Sequence, residues 1–306
     1  MTKLEKIECL KEQIVEIYNA PTSVIAISRI HSFLHNLIQD FEENVFDQSD
    51  LPNFRQILGS DVLEDSVQGH ACRKPYGYSG DFEIIDKFYT YQVSQNPIAA
   101  IWDKYLHTVP ATKAVRNRKA LFIEEVLVLL KLSNNEQFHV LNIGSGPARD
   151  VFELFLLHAQ HLNNVTIDCV DSDDKAIEFA SKLNYQHLDQ VNFIRQNILK
   201  FRTDKKYDLI WSAGLFDYLQ DDVFIRLLAR LRHFLKPGGN IIIGNFNKDY
   251  NPTRSYMEIF GDWYLIHRSS AELTKLAQEA GFNDFDIQVK TEAENVNLFL
   301  HLKGRF

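Results

Sequence analysis

Apolar positions in the first third of the chain recur at helical spacing. Leu4, Ile7, Leu10, Ile14 and Ile17 follow one another at intervals of three and four and define one helix face. Pro21 and Thr22 restart the pattern through Val24, Ile27, Ile30, Leu34, Leu37 and Phe41. Proline suits a first helical turn, where its missing N–H has no partner. Asp50, Pro52 and Gly59 break the pattern over residues 48–61. Pro75, Gly77 and Gly80 punctuate a loop in residues 70–89, which then enters a short helix near Asp81–Tyr89. Further helices fit Pro97–His107 and Pro110–Leu132, the second ending in the polar Ser133-Asn134-Asn135.

From about residue 138 the pattern changes. Short apolar runs (HVLNIG, VTIDCVD, VNFIRQN, YDLIWSAG, NIIIGNFN) alternate with helical segments, and FDIQVKTEAENVNLFLHLKG reads as two strands around a polar turn. Alternating strands and helices predict an α/β fold with a parallel, doubly wound sheet, and the closing hairpin adds an antiparallel edge. The expected architecture is a Rossmann-like, seven-stranded sheet plus a helical N-terminal region. The boundary is drawn at 1–130 and 131–306. Whether the first part is a separate domain or a lid and substrate region is left open.

Composition narrows the function classes. The chain has 306 residues, enough for one large domain or two small ones at roughly 100–200 residues each. Hydrophobic residues at 45% and charged residues at 24% exclude disorder. No apolar run approaches the roughly 18 residues of a spanning helix, and the charged, helically patterned N-terminus does not read as a signal peptide. Three cysteines, Cys9, Cys72 and Cys169, show no metal-ligand spacing. They suit a reducing cytoplasm, so a cytoplasmic protein without a metal is expected. A net charge of −8 disfavours a nucleic-acid partner. The 22 Phe and 12 Tyr fit a large aromatic core or a greasy substrate pocket.

The most informative stretch is Asn142-Ile143-Gly144-Ser145-Gly146-Pro147-Ala148, which ends the first predicted strand and opens a helix. Glycines there allow a tight turn and close approach of a ligand to the main chain. Asp171 ends the next strand, where a carboxylate can accept hydrogen bonds from both hydroxyls of a ribose. A dinucleotide fingerprint needs a third glycine where Arg149 stands, and Pro147 intervenes, which disfavours a dehydrogenase.

The turn instead resembles the first motif of class I S-adenosylmethionine (SAM) methyltransferases, with Asn142 in place of the acid and Ala148 in place of the third glycine. Gln196-Asn197 resembles the polar pair near the adenine. Ser212-Ala213-Gly214 lies where the family places cofactor and substrate contacts, and Lys236-Pro237-Gly238-Gly239 resembles the turn before the fifth strand. The resemblance implies cofactor contacts from Asn142, Gly144, Ser145, Gly146, Asp171, Ser172, Gln196, Asn197, Ser212, Ala213 and Gly214. Three further segments are similar to a bacterial subgroup that includes enzymes making the methyl ester of 3-hydroxypalmitic acid. These are Gly77-Tyr78-Ser79-Gly80-Asp81, Ala114-Val115-Arg116-Asn117-Arg118, and Asn251-Pro252-Thr253-Arg254 with Trp263 downstream. On this reading Tyr76, Tyr78 and Asp81 lie on a lid, the tyrosines holding the acceptor or the charged end of the donor and Asp81 contacting the cofactor. Arg118 meets the donor's carboxylate. Arg254 or Arg268 orients a carboxylate acceptor, and His267 or Asp217 serves as base for a protic one. The expected partner is a small-molecule acceptor, favoured as a hydroxy fatty acid carboxylate. Other O- or N-acceptors, a non-catalytic SAM-binding regulator and a homodimer stay open.

Overall fold

The computed structural model describes residues 2–133 and 137–304, so most of the polar end Ser133-Asn134-Asn135 lies outside the described residues. The chain forms two compact units. The first takes the chain up to Lys113 together with Pro252–Tyr264, and the second takes Ala114–Asn251 and the chain from Leu265 onward.

The first unit is helical: α1 (Lys3–Tyr18), α2 (Ser23–Glu42), α3 (Leu51–Ile57), α4 (Gly59–Asp65), α5 (Val67–Arg73), α6 (Phe82–Tyr89) and α7 (Pro97–Thr108), with the helix Arg254–Gly261 inserted from far along the chain. A capping box closes α1, in which Thr2 Oγ1 accepts from the Glu5 N–H and the Glu5 carboxylate from the Thr2 N–H. Thr22, not Pro21, sets the start of α2. Its hydroxyl accepts the Ile25 N–H at 3.3 Å, which places the proline ahead of the helix. Three short helices run through residues 51–73, the first two reaching into the stretch 48–61 where the sequence suggested broken chain. The breakers stand at their junctions: Pro52 in the first turn of α3, Gly59 at φ +79° starting α4, and Ser66 capping α5. Phe33, Trp102 and Phe260 meet at ring-centroid distances of 6.2–6.3 Å, which ties Pro252–Tyr264 to this unit.

The second unit runs α8 (Pro110–Leu132), β1 (Phe138–Ile143), α9 (Arg149–His158), β2 (Val165–Asp171), α10 (Asp174–Leu183), β3 (Val191–Arg195), β4 (Tyr207–Ser212), α11 (Asp221–Arg232), β5 (Leu235–Phe246), α13 (Ser270–Glu279), β6 (Ile287–Thr291) and β7 (Asn297–Lys303), the label α12 being kept for the helix Arg254–Gly261 of the first unit. The sheet order is β3-β2-β1-β4-β5-β7-β6. The first five strands are parallel, and β7 is antiparallel to both β5 and β6, as the alternation predicts. Successive strand residues face opposite sides. Val140 and Leu209 pack with Phe122 and Val126 of α8 and Val151 and Leu154 of α9. Leu141 and Ile210 pack with Phe224 and Leu227 of α11 and Leu273 of α13.

Two boundaries differ from the sequence reading. The units divide in the first turns of α8, because Phe122 and Val126 are buried in the sheet core rather than among the helices. Lys236-Pro237-Gly238-Gly239 lies inside β5, not before it. The pairing jumps from Tyr207–Leu235 to Leu209–Asn240, and Gly238 and Gly239 exchange hydrogen bonds with Gly304.

Gly69 shows how closely α5 approaches α4, since a Cβ there would stand 2.2 Å from the Leu63 carbonyl oxygen. Gly77, at φ +83°, has nothing within 4 Å of such a Cβ. Gly69→Ala should therefore destabilise the protein by about 2–3 kcal/mol through overpacking. Gly77→Ala should cost only the left-handed strain of about 1–2 kcal/mol. Urea unfolding checks the order, and equal losses would contradict the packing at α5.

Candidate functional site

The carboxyl ends of the parallel strands bring most of the predicted residues of the second unit together. Ligands of open α/β sheets bind at these ends. After β1 the chain turns through Gly144, Gly146 and Ala148, with φ of +61°, +51° and +47°. Glycine adopts this region freely, whereas the alanine carries strain of about 1 kcal/mol. The alanine substitution seen in the sequence is thus a backbone compromise as well as a change of size.

Asp171, the last residue of β2, holds this turn. Its Oδ2 accepts the Gly146 N–H at 2.9 Å and its Oδ1 accepts the Asp173 N–H at 3.0 Å. Burial raises its pKa, opposed by those two N–H donors. A carboxylate has about four acceptor positions, so roughly two remain. Nothing stands within 4 Å of a Cβ built on Gly146, so the turn faces open space. Ser145 Oγ is buried and has no hydrogen-bond partner. A buried hydroxyl without a partner costs about 1–3 kcal/mol. An open turn, a carboxylate with spare acceptor capacity and an orphaned hydroxyl together fit a polar, ribose-bearing ligand.

The other predicted contacts divide into two kinds. Ser172 is exposed beside Asp171. The Gln196 N–H donates to the Asp171 carbonyl at 2.8 Å, which fixes the end of β3 against β2. Asn197 Oδ1 accepts the Leu199 N–H, a local turn. Ser212 is buried and its hydroxyl donates to the Ile143 carbonyl at 3.0 Å, so its side chain ties β4 to β1. Ala213 and Gly214 carry Arg118. Its Nη1 donates to the Ala213 carbonyl at 3.0 Å, and a Cβ on Gly214 would stand 3.3 Å from that nitrogen.

Arg118 acts electrostatically on two buried acids. Asp150, on the first turn of α9, is raised to about 6 by burial, opposed by the Val151 N–H, the Asn142 amide and Arg118. Asn142 Nδ2 reaches Asp150 Oδ2 at 3.4 Å. Asp217 is raised to about 7 by burial, opposed by the Phe246 N–H, Arg118 and Arg268. Sequence reasoning missed Asp150; an acid eight residues past Asn142 in a helix's first turn was the available signal.

Two further candidates have structural partners here. Arg268 is buried, with donors on Asp221, the Asn245 side chain and the Phe216 and Leu219 carbonyls, so it is committed to the loops after β4 and β5. His267 Nδ1 donates to the Leu265 carbonyl at 3.1 Å, and its Nε2 accepts from Asn251 Nδ2 at 3.0 Å. Its tautomer follows from the carbonyl, which can only accept.

The helical unit holds the rest. Asp81 is buried. Its carboxylate caps α6 through the Glu83 and Ile84 N–H groups and receives His70 Nε2 at 2.9–3.0 Å. The acid expected to contact the cofactor is thus committed to its own helix start. Lys87 Nζ donates to His70 Nδ1 and to Glu83, and the Tyr76 hydroxyl donates to Glu83 at 2.8 Å. His70 and Lys87, unnoticed in the sequence, therefore brace the glycine-tyrosine loop. Tyr78 is exposed, and Arg254 is a half-exposed partner of Glu258. No group of His, Cys, Asp or Glu among the described residues could hold a metal ion.

Comparison with known proteins follows this division. Residues 140–239 match the family described as methyltransferase domain. Malonyl-[acyl-carrier protein] O-methyltransferase 2 of Ilyobacter polytropus is 33% identical over 134 residues, 44% of this chain and 46% of that protein. Malonyl-[acyl-carrier protein] O-methyltransferase 1 of the same organism is 30% identical over 181 residues, 56% of this chain and 64% of that protein. The chain thus spans about half to two-thirds of these relatives' length. The apo structure of the S-adenosylmethionine-dependent methyltransferase SibL shares the fold, with a TM-score of 0.51 at 15% identity over 87% of this chain and 76% of that one.

The raised pKa of Asp217 has a consequence for stability. Between about pH 4 and pH 7 the folded protein keeps a proton that the unfolded chain releases, so stability falls as pH rises through that window. Asp217→Asn keeps an acceptor for the Phe246 N–H and removes this penalty. Its melting temperature should gain on wild type by about 3 °C or more between pH 5 and pH 8. Parallel pH profiles would contradict the buried acid.

Proposed function

We propose that this chain, whose second unit carries a class I SAM-dependent methyltransferase domain, transfers a methyl group to a small-molecule acceptor. The observation that carries the reading is the turn after β1, open at Gly146 and held there by the Asp171 carboxylate, with the orphaned Ser145 hydroxyl beside it. S-adenosylmethionine, when bound, supplies a methyl group already activated by a sulfonium charge. Asp171 takes the ribose hydroxyls on its remaining acceptor positions. Ser145 and the turn's backbone receive the amino acid end, with Arg118 as the cation for its carboxylate. Ser172, Gln196 and Asn197 flank the adenine. The protein's main task is then alignment of the nucleophile with the reacting carbon.

A fatty acyl carboxylate is the favoured acceptor, giving a methyl ester. A carboxylate is ionised at neutral pH and needs no base. Two relatives are named for O-methylation of malonyl-[acyl-carrier protein], and a malonyl group ends in a free carboxylate. We assign acceptor-handling roles to Tyr76, Tyr78, Arg254 and His267. No helix among the described residues is long and apolar enough to cross a membrane. Three free thiols support a cytoplasmic setting.

One observation favours a second reading. Asp217, raised to about 7, is poised as a general base for a hydroxyl acceptor. The two readings separate by pH: carboxylate methylation should be flat in kcat/KM from pH 6 to 9 by mass-spectrometric turnover, whereas hydroxyl methylation should rise through about pH 7. Absence of turnover with either class, despite cofactor binding, would point to a regulatory SAM-binding protein.

The cofactor contacts are checked by calorimetry with S-adenosylhomocysteine. Asp171→Ala should weaken binding about 100-fold, the loss expected for charged hydrogen bonds to two hydroxyls. Ser145→Ala should weaken it about tenfold while leaving the free protein as stable or up to about 1 kcal/mol more stable. Unchanged affinity in both variants would overturn the assignment.

A further inference from the structure

A buried amide braces the far end of the glycine turn. Asn184 stands just past α10 and is wholly buried. Its Nδ2 donates to the Ala148 carbonyl at 3.3 Å and to the Ala180 carbonyl at 2.9 Å. Both partners are carbonyls, which only accept, so the orientation of the amide is fixed. Its Oδ1 is left buried with no hydrogen-bond partner. A buried amide oxygen without a donor is destabilising.

Neither carbonyl depends on this amide. The Ala148 carbonyl also accepts the Phe152 N–H at 3.0 Å, and the Ala180 carbonyl also accepts the Asn184 N–H at 3.0 Å. Each bond from Nδ2 is thus a second one, on an acceptor that a helix already satisfies. An apolar side chain of similar shape would orphan no carbonyl and would remove the unpaired oxygen. Stability alone therefore gives no reason for an asparagine at this position.

The turn does give one. Ala148 is held at φ +47° without being glycine, and strain of this kind persists only where the surroundings enforce it. The Ala148 N–H donates to the Ser145 carbonyl at 3.0 Å and so closes the turn on the residue that carries the orphaned hydroxyl. Asp171 holds the turn at Gly146, and its other oxygen accepts the Asp173 N–H at the start of α10. Asn184 holds the turn at Ala148 from the opposite end of the same helix. Helix α10 is thus a strut, with one end on the acid and the other on the turn.

We propose that Asn184 is a positioning residue for the cofactor. It holds Ala148 left-handed and so keeps the Ser145 hydroxyl and the N–H groups of the turn set before the donor arrives. The role rests on the methyl-transfer reading. Groups already in place bind more tightly, because little ordering is left for the binding step. A glycine at position 148 would adopt this backbone unaided, so Ala148 and Asn184 form a compensating pair.

The test uses the full chain. Asn184→Leu should melt at or above the wild-type temperature, since the unpaired oxygen is gone, yet bind S-adenosylhomocysteine about tenfold more weakly by calorimetry. Adding Ala148→Gly to that variant should restore most of the affinity, whereas Ala148→Gly alone should leave the wild-type value nearly unchanged. A side chain that only fills space would not be rescued by a glycine in the turn. If leucine does not fit at position 184, Asn184→Ala with and without Ala148→Gly makes the same comparison. In the ligand-free chain, amide exchange followed by NMR should be about tenfold faster at Ala148 once the asparagine is replaced. Wild-type affinity in the Asn184 variants, a loss that Ala148→Gly leaves in place, or unchanged exchange at Ala148 would overturn the proposal. Failure of the wild-type chain to bind S-adenosylhomocysteine would instead sink the methyl-transfer reading, and the exchange rates would then decide by themselves whether Asn184 holds the turn.

Discussion

One carboxylate organises the second unit's functional end. Asp171 terminates β2 and accepts the N–H of Gly146 from the turn after β1. That bond fixes a turn whose backbone is otherwise costly, since three of its residues lie at positive φ. It also leaves the acid with acceptor capacity on the side where the turn opens. The same group therefore shapes the turn and, on the proposed reading, takes the ribose. Burial raises the energy of its charged form, and the two backbone donors lower it again. Such an opposition is what a preorganised acceptor site requires: the donors are already in place before a ligand arrives.

A second balance operates beside the first. Asp150 and Asp217 are both deeply buried, and Arg118 is the cation that both feel. Arg118 is itself anchored to the Ala213 carbonyl and lies against Gly214. A side chain at position 214 would displace it, which explains why a glycine follows Ser212-Ala213 at the end of β4. Burial raises both acids against the pull of Arg118, and Asp217 is raised further, to about 7.

Much of this was legible in the sequence, for local reasons. The glycine turn, the acid ending the next strand and the alternation of strands and helices are patterns within short windows, and the parallel sheet with its antiparallel edge follows from them. The short helices between residues 48 and 73 were hidden because their breakers stand at junctions, where Pro52, Gly59 and Ser66 start helices as well as end them. The membership of Pro252–Tyr264 in the helical unit was invisible because it depends on Phe260 meeting Phe33 and Trp102 across great sequence separation. Arg268 reads in sequence as a cation that could orient a carboxylate acceptor, yet it is buried among four acceptors, the Phe216 and Leu219 carbonyls and the Asn245 and Asp221 side chains. Asp81 likewise reads as a ligand-facing acid, but its helix cap and His70 claim it. Type and spacing identify candidates; only three-dimensional partners separate those available to a ligand from those already engaged.

The central claim is that Asp171 and the Gly144–Ala148 turn hold an adenosine-bearing sulfonium donor. Its most direct test is a crystal structure of the chain with S-adenosylhomocysteine. The account predicts both ribose hydroxyls within hydrogen-bond distance of the Asp171 carboxylate and a polar atom of the ligand on Ser145 Oγ. A nucleoside bound elsewhere, or a turn that stays empty at saturating ligand, would contradict it.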